Sequence, residues 1–459
     1  MEKKLELTTK IIYFCLAVST FNPFIYTTAL QPVLVKLTLA AGGALILFRL
    51  LRYKRYMKMP CAILMALFCV SFAFSAFMNR EYGIVGNGKW IVWTGIQFFA
   101  LYMCDVERDV QEYRKEFNIL AHLMIIYNLA GCFISLGMLV TAYSKMFETP
   151  EGELIVSGFT WGRLWGVYSD PNYGAVFSVI VIVLSLLFLL KKKGIIRGFY
   201  IASIVLNFLY LVFSDSRTGE LALVCSMGLF IYMVVIRRLS DREKAARFGV
   251  AILAVILFAG LSFGSTRLIK TEYNRKLAPI FAQMRVKEKA PGKKPAPKKK
   301  PAVGRKKDLE TDASNGRFDI WESGLEVWKT SPVYGTGYTS FVPYVKEHVP
   351  DTYVVNTEGS DYVSLHNGFM NTLVYQGIIG LVLLLAIAGR IICYVLKPVF
   401  AAKGDDYLDL GAMLSSVGAV AVSMMFLLEG TYTNSPGAFV LWSFSGYMVQ
   451  YAYKARKGS

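Results

Sequence analysis

Three arginines and one histidine lie beside long apolar runs in this sequence of 459 residues: Arg163, Arg217, Arg317 and His366. Charged side chains are costly inside a bilayer, so ionisable residues at the ends of apolar runs are candidates for function. The planar guanidinium of arginine fits phosphate oxygens bidentately, and a neutral imidazole can accept a proton near neutral pH. These residue types predict a site for an anion such as phosphate, beside a histidine that accepts a proton.

The segments around Arg163 and Arg217 also have purely structural interpretations. Asp170 stands before a proline, which is a good helix start because the carboxylate accepts backbone N–H groups at the cap. That role leaves Arg163, between two tryptophans, unexplained. Arg217 lies in the short link SDSRTGE, where it could pair with Asp215 or Glu220 instead of an anion.

His366 lies where an apolar helix is expected to begin. The positive end of a helix opposes protonation of an imidazole, which favours the neutral form. The alternative is a histidine that caps the helix or packs at the membrane interface. Of the other two histidines, His122 lies within an apolar run, where packing or pairing is the expected role.

Arg317 begins a segment, 315–341, with a helical apolar pattern. The apolar residues that recur at three- and four-residue steps are Phe318, Trp321, Leu325 and Trp328. They predict one face of a short helix that lies at the membrane interface or over the membrane spans. The stretch SPVYGTG then ends the helix, since it contains one proline and two glycines.

The elements that position these residues are apolar helices. Hydrophobic residues make up 55% of the chain and charged residues 18%, with a mean hydropathy of +0.44, whereas soluble domains carry roughly 25% charged residues. Apolar runs of ~20 residues match the ~30 Å thickness of a hydrocarbon core. We predict an all-α, polytopic membrane protein with about twelve spans, at 10–29, 32–51, 60–78, 89–104, 117–143, 172–190, 198–214, 220–236, 248–264, 368–395, 409–428 and 437–453.

Basic residues predict the orientation of these spans. Lys and Arg are concentrated in the first ten residues, the carboxy-terminal tail and the segments 49–58, 107–115, 191–197, 237–247 and 390–403. By the positive-inside rule both termini are cytoplasmic, which agrees with an even number of spans.

The amino terminus resembles a signal anchor, since its apolar run is too long for a cleaved signal peptide. The seven cysteines show neither zinc spacing nor a disulfide framework, and no cofactor is expected.

The predicted spans divide the chain into four segments. Residues 1–145 carry the first five spans, and 146–264 carry spans six to nine with the arginine-bearing outer loops. Residues 265–366 form one long external loop, and 367–459 carry the last three spans.

A basic insert, 285–307, lies inside the long loop. It contains eleven basic residues, one acidic residue and four prolines, and supplies +10 of the net charge of +18. A Lys/Pro/Ala composition cannot bury a core, so the insert is predicted to be disordered. It is either a tether to an anionic partner or a solvated spacer, and nucleic acid is an improbable partner on an outer face.

In order and spacing, these motifs resemble the O-antigen ligase and O-antigen polymerase superfamily of bacterial membrane glycan transferases. The resemblance extends over about 165 to 385, under half of the chain. The matching motifs are Arg163 with Asp170-Pro171-Asn172, Ser216-Arg217-Thr218, Gly316 to Trp321, Ser331 to Gly337, His366-Asn367 and Gly377 to Leu381. The basic insert has no counterpart in this pattern.

The resemblance implies a GT-C-like arrangement of helices and a metal-independent glycosyltransferase in the bacterial plasma membrane, with its active site facing outward. Such enzymes transfer a glycan from undecaprenyl diphosphate to an acceptor hydroxyl. Carried over to this chain, Arg217 and Arg317 would bind the diphosphate and His366 would position or deprotonate the hydroxyl. Arg163 would be a supporting cation near the lipid or sugar. The other supporting residues implied by these motifs are Asp170, Asn172 and Asn367.

Three functions remain open at this point. Polymerisation of surface or capsular polysaccharide is preferred, and a ligase that attaches finished glycan to a lipid, wall or protein acceptor breaks the same bond. A twelve-helix flippase or transporter is the third, although the charged candidates cluster at one face and no internal repeat is evident. The expected partners are the carrier-linked glycan, its acceptor, membrane lipids and other polysaccharide-assembly proteins, without nucleic acid.

Overall fold

The computed structural model describes residues 2–149, 154–287, 302–304, 316–356 and 361–457. The amino-terminal helices are α1 (Glu2–Thr20), α2 (Pro23–Tyr26), α3 (Leu30–Leu50), α4 (Tyr53–Tyr56), α5 (Ala62–Met78), α6 (Ile84–Ile96) and α7 (Val110–Thr141). After a small sheet follow α8 (Pro171–Lys191), α9 (Ile196–Ser214), α10 (Arg217–Arg238), α11 (Lys244–Glu272) and α12 (Ala278–Lys287). The remaining helices are α13 (Arg317–Thr330), α14 (Phe341–His348), α15 (Gly368–Ala401), α16 (Gly404–Ser423) and α17 (Pro436–Lys457).

Each predicted span overlaps one or more of these helices. Among the described residues, seven helical segments are long and apolar enough to cross a membrane: α3, α7, α8, α9, α10, α15 and the continuous segment Lys244–Ala282. The chain is therefore a multi-pass membrane protein. The first predicted span, 10–29, is displaced, because α1 ends at Thr20 and the side chain of Asn22 caps the short helix α2.

A three-stranded antiparallel sheet corrects the all-α prediction. Strands β1 (Ser144–Glu148), β2 (Leu154–Thr160) and β3 (Arg163–Gly166) follow α7 in the order β1-β2-β3. The sheet is attached to α7, where the hydroxyl of Ser135 accepts a hydrogen bond from the backbone N–H of Val167 at 3.0 Å. Strands of four to seven residues are too short to appear in a search for membrane-length apolar runs.

Helix α15 is broken at Gly377, which has φ 65° and ψ −167°. The segment 331–337 supplies partners for the backbone groups at the break. Three hydrogen bonds of 2.9 Å are donated by Ile378, Thr336 and Gly337 to the carbonyls of Pro332, Val374 and Tyr375 respectively. Unpaired backbone groups in apolar surroundings are costly, so a broken helix needs such partners. The glycine motif of α15 and the SPVYGTG motif therefore have a shared structural role, which is to fix the long loop to the helix.

Replacing Gly377 with alanine is expected to destabilise the protein by about 2 kcal/mol or more, because the residue has positive φ and a Cβ there would overlap the carbonyl group of Val333. Thermal unfolding in detergent measures the effect. The matched control is Gly389→Ala in the same helix, where an added Cβ has no neighbour within 4 Å. Equal stability of the two variants would contradict this account of the break.

Four buried charged residues, Glu6, Lys10, Arg49 and Glu116, form an ionic cluster with the half-buried Arg108 at the other end of the bundle. Lys10 Nζ lies 2.9 Å from Glu6 Oε1 and 2.7 Å from Glu116 Oε1. The guanidinium groups of Arg49 and Arg108 lie 3.0 and 3.2 Å from Glu6. Because charges inside a membrane protein require partners, the cluster fixes α1, α3 and α7 together at the end where both chain termini lie.

Candidate active site

Arg163 of β3 is buried and connects three elements. Its Nε donates to the carbonyl of Ser214, at the end of α9, at 2.8 Å, and its Nη2 donates to Oδ1 of Asn172 at 2.7 Å. The hydroxyl of Ser216 donates to the same Asn172 oxygen at 2.9 Å. The guanidinium thus braces the sheet, the start of α8 and the link before α10, because a buried cation is stable only with its hydrogen bonds satisfied.

Three helices begin close to the guanidinium of Arg163 or to His366, and each has a capping side chain. Asp170 Oδ1 accepts from the backbone N–H of Asn172 at 2.6 Å at the start of α8. Ser216 caps α10, and Asn367 caps α15 by accepting two backbone N–H groups at 3.0 and 3.1 Å. The structural interpretation of Asp170 is therefore confirmed, and Asn367 has a capping role of the same kind.

Arg217 and Arg317 line the same cavity. This arginine cavity has a volume of about 420 Å³ and its other lining residues are Thr218, Leu221, Phe318, Trp321 and Phe426. Arg317 Nη2 lies 3.4 Å from the carbonyl oxygen of Phe426, and its guanidinium lies 5.7 Å from the centre of the Phe426 ring. The structure thus brings together two arginines that are separated by 100 positions, in a cavity whose remaining walls are mostly apolar.

Asp215 and Glu220, the acids considered as partners for Arg217, both bind Lys270 of α11. The Lys270 Nζ atom lies 2.8 Å from Asp215 Oδ1 and 3.1 Å from Glu220 Oε1. Few residues of α11 are buried, so this ionic contact fixes the end of a weakly packed helix to the link that carries Arg217. No sequence motif marks Lys270, and only its neighbours in space reveal its role.

His366 lies half-buried at the start of α15 with φ 50°. Among the described residues, its imidazole makes no hydrogen bond, and the ring of Tyr362 lies edge-on at 6.3 Å. Burial lowers the pKa of His366; the negative charge of Asp170 opposes this shift and the positive charge of Arg317 adds to it. The predicted direction of the pKa shift is therefore confirmed, although burial and not the helix end is its main cause.

The backbone around His366 is held by hydrogen bonds from two helices. Asn371, one turn into α15, accepts from the backbone N–H of Leu365 at 2.8 Å and donates to the hydroxyl of Ser364 at 3.0 Å. Trp321 of α13 donates its indole N–H to the carbonyl of Leu365 at 3.0 Å. The helix that carries Arg317 is thus connected directly to the segment that carries His366.

Helix α13 is buried along a face that overlaps only partly with the predicted apolar face. The buried residues are Ile320, Ser323, Gly324 and Val327. Phe318 and Leu325, from the predicted apolar face, are 68% and 41% exposed. Gly324 explains why this face of the helix is buried against Leu365, because a Cβ at this position would lie only 2.6 Å from Cδ1 of Leu365. The small residues allow close approach. Of the larger residues, Phe318 and Leu325 are exposed, whereas Trp321 and Trp328 are half-buried against the protein.

Only a short part of the basic insert can be placed. Residues 288–301 and 305–307 lie outside the described residues. Val303 exchanges two hydrogen bonds with the side chain of Asn274, at 2.7 and 2.8 Å, and Gly304 donates its N–H to the carbonyl of Gly162 at 3.0 Å. This end of the insert is thus attached between β3 and the end of α11.

The loop 424–435, between α16 and α17, has no sequence motif but contacts the site. Met424 accepts from the backbone N–H of Gly368 at 2.7 Å, and Leu428 accepts from the hydroxyl of Tyr173 at 2.7 Å. Its buried Glu429 was missed by sequence reasoning. The one available signal was an isolated acidic residue at the end of a predicted span.

A family model described as O-antigen ligase matches residues 202–385, which confirms the resemblance inferred from the motifs. The matched region contains Arg217, Arg317 and His366. A protein of Haemophilus influenzae described as uncharacterized is 24% identical over 271 residues, which are 59% of this chain and 57% of the relative. The chain therefore covers less than two thirds of that relative's length.

Proposed function

We propose that this multi-pass membrane protein, whose residues 202–385 match the O-antigen ligase family, transfers a glycan from undecaprenyl diphosphate to an acceptor hydroxyl. The observation that supports this most strongly is the arginine cavity, where Arg217 and Arg317 stand among apolar walls. A diphosphate on a polyprenyl chain has the same two properties, a doubly anionic head and an apolar tail. His366, whose pKa is affected by the charge of Arg317, is the neighbouring proton acceptor.

In the proposed reaction the oxygen of the acceptor hydroxyl attacks the sugar carbon that is bound to the diphosphate. The carbon–oxygen bond to the diphosphate breaks, the diphosphate leaves on the lipid carrier, and the hydroxyl proton passes to His366. The leaving group gains negative charge, so preorganised Arg217 and Arg317 stabilise the transition state more than the ground state. A lowered pKa keeps His366 neutral and able to accept the proton. Arg163 supports the site by bracing the elements around it, and no metal takes part.

The proposed location is the bacterial plasma membrane, with the site facing outward and both termini in the cytoplasm. The support for this orientation is the concentration of Lys and Arg in the short loops near the termini. Helix α7 joins the ionic cluster to the sheet and has 32 residues, which is ~48 Å at 1.5 Å per residue. The two ends of the molecule are thus far enough apart to lie on opposite membrane surfaces.

The preferred reaction is the joining of polysaccharide repeat units. Profiles of carrier-linked glycans from cells with the wild-type protein, without it, or with His366→Ala test this assignment. Single repeat units that accumulate on the carrier without longer chains identify a polymerase. Long chains that accumulate on the carrier identify a ligase, and an unchanged profile contradicts both.

Deleting residues 288–301 is expected to leave transfer within about twofold of wild type if the insert is a spacer, since surface insertions contribute little to a fold. The deletion keeps Val303 and its contacts with Asn274. The glycan profile measures the result, and a deletion that also removes 302–304 is the comparison. Loss of product in the shorter deletion, with normal membrane insertion, would instead indicate a tether to an anionic partner.

A further inference from the structure

We propose that Glu429, in its protonated form, is a positioning residue that holds the loop 424–435 against the active site. The inference rests on the proposed function for its catalytic consequence. Its structural basis is independent of the substrate, because it depends on contacts within the chain. Glu429 lies outside the region that matches the O-antigen ligase family.

The loop 424–435 contacts three parts of the candidate site through backbone carbonyl groups. The carbonyls of Met424, Phe426 and Leu428 face, respectively, the N–H of Gly368 at 2.7 Å, the guanidinium of Arg317 at 3.4 Å and the hydroxyl of Tyr173 at 2.7 Å. These partners lie next to His366, in the arginine cavity and next to Asp170. A shift of this one loop would therefore displace the proton acceptor and the anion-binding arginine together.

Glu429 is the side chain that fixes the loop to the helices on either side of it. It is 2% exposed, and its two oxygens lie 2.8 Å from the hydroxyls of Ser423, at the end of α16, and Ser435, just before α17. A Cβ at Gly437 would overlap the carboxyl group, so this glycine makes the space that Glu429 fills. The loop is thus held at its centre by one buried carboxyl.

The hydrogen-bond directions favour a protonated Glu429. The Ser423 hydroxyl lies 2.8 Å from both the carbonyl of Val420 and the carboxyl of Glu429, but a hydroxyl has a single proton to donate. If Glu429 donates to Ser423, then Ser423 can donate to Val420. Ser435 accepts from the N–H of Ala438 at 2.9 Å and donates to the other Glu429 oxygen. Every one of these contacts is then a hydrogen bond.

The surroundings of the carboxyl agree with this assignment. Burial raises the pKa of Glu429 to about 7, although the hydroxyls of Ser435 and Ser423 favour the carboxylate; the negative charge of Asp170 raises the pKa further, and the N–H of Gly437 opposes it. Asp170 and Tyr173 face it from α8, Ser423 from α16, and Ser435 and Gly437 from α17. Above neutral pH, ionisation would place a buried negative charge near the negative charge of Asp170 and loosen the loop.

The consequence is a bell-shaped dependence of glycan transfer on pH, in which the acidic and the alkaline decrease have different origins. His366 must be neutral to accept a proton, so transfer rises with pH through the lowered pKa of His366. Glu429 must be protonated to hold the loop, and the protonated fraction of a carboxyl falls about tenfold for each pH unit above its pKa. Glu429→Gln keeps the shape and can donate to Ser423 without titrating. It should therefore abolish the alkaline decrease and leave the acidic one.

The test uses the full-length protein in lipid vesicles, as wild type, Glu429→Gln and Glu429→Ala. Diethyl pyrocarbonate, which acylates neutral imidazole, probes His366, and mass spectrometry of the peptide that contains it gives the rate at each pH. As the pH rises, the rate of His366 acylation in the wild type should reach a plateau and then change again at alkaline pH, whereas the rate in Glu429→Gln should stay on the plateau. The rate in Glu429→Ala should differ from that of the wild type at every pH. The matched control is Glu326→Gln, an exposed glutamate of α13.

The outcomes separate the two proposals. Wild-type and Glu429→Gln curves of the same shape across the whole pH range would overturn the role of protonated Glu429, whether or not the protein transfers glycan. A wild type without transferase activity, but with the expected difference in His366 acylation, would overturn the proposed function and keep the positioning role. Failure of Glu429→Ala to fold does not affect the comparison, because Glu429→Gln conserves size and hydrogen bonding.

Discussion

Replacement of His366 by alanine is expected to reduce glycan transfer by about 10²- to 10⁴-fold, which is the usual contribution of a positioned general base. The variant should still insert and fold. The alanine leaves the hydrogen bonds among Ser364, Leu365 and Asn371 intact, and the His366 ring makes no hydrogen bond among the described residues. The loss should appear in the rate of the chemical step and not in binding of the carrier-linked glycan.

The measurement is transfer by purified protein in vesicles together with the carrier-linked glycan profile of cells. The matched control is His348→Ala at the end of α14, where the His348 ring stacks on Tyr344 at 4.0 Å. This variant should retain transfer, because the role of His348 is packing. Full activity of His366→Ala would remove the histidine from the mechanism, and equal losses in both variants would indicate a structural effect.

Arg217→Lys is expected to be nearly as damaging as Arg217→Ala, with a loss of about 10²- to 10³-fold in transfer, comparable to removal of one preorganised donor. Lysine keeps the charge but is a single point donor, whereas the guanidinium fork can bind two phosphate oxygens at once. Arg317 lines the same cavity and would hold the diphosphate less firmly alone. The substitution therefore separates bidentate binding from simple charge.

Transfer and binding of farnesyl diphosphate, as a short polyprenyl diphosphate, measure this effect. Arg267→Lys is the matched control, since Arg267 is an exposed arginine of α11 and does not line the arginine cavity. If Arg217→Lys binds and transfers normally, Arg217 contributes only a charge. If Arg217→Ala binds farnesyl diphosphate as wild type does, the arginine cavity is not the diphosphate site.

The sequence alone predicted the long apolar helices and the charged residues of the candidate site. Each of the twelve predicted runs overlaps a described helix, and seven described helical segments are long and apolar enough to cross a membrane. Arg163, Arg217, Arg317 and His366 were identifiable because charge beside an apolar run is costly. Their convergence depends on the packing of helices far apart in the chain, which no local pattern describes.

The parts that the sequence did not predict depend on contacts between distant residues. One partner of Asp215 is Lys270, 55 residues away, and nothing in the link SDSRTGE indicates it. The SPVYGTG motif was interpreted as a helix end, whereas its residues Pro332, Thr336 and Gly337 also form hydrogen bonds with the backbone around Gly377. In the sequence Glu429 is an isolated acid, and only the structure shows the hydroxyls of Ser423 and Ser435 that contact it. In each case the residue type was visible and its partner was not.

The ionic cluster connects the first and last helices of the chain and therefore affects the order of its biosynthesis. Lys10 of α1 needs Glu116 of α7, and Glu116 in turn accepts a hydrogen bond from Tyr447 of α17 at 2.7 Å. A nascent chain inserts α1 long before the ribosome has translated residue 447. Until then these polar groups lack their complete set of partners, so they need water or an insertion factor. A polypeptide released early would expose unsatisfied charges to lipid, which membrane quality-control proteases can recognise.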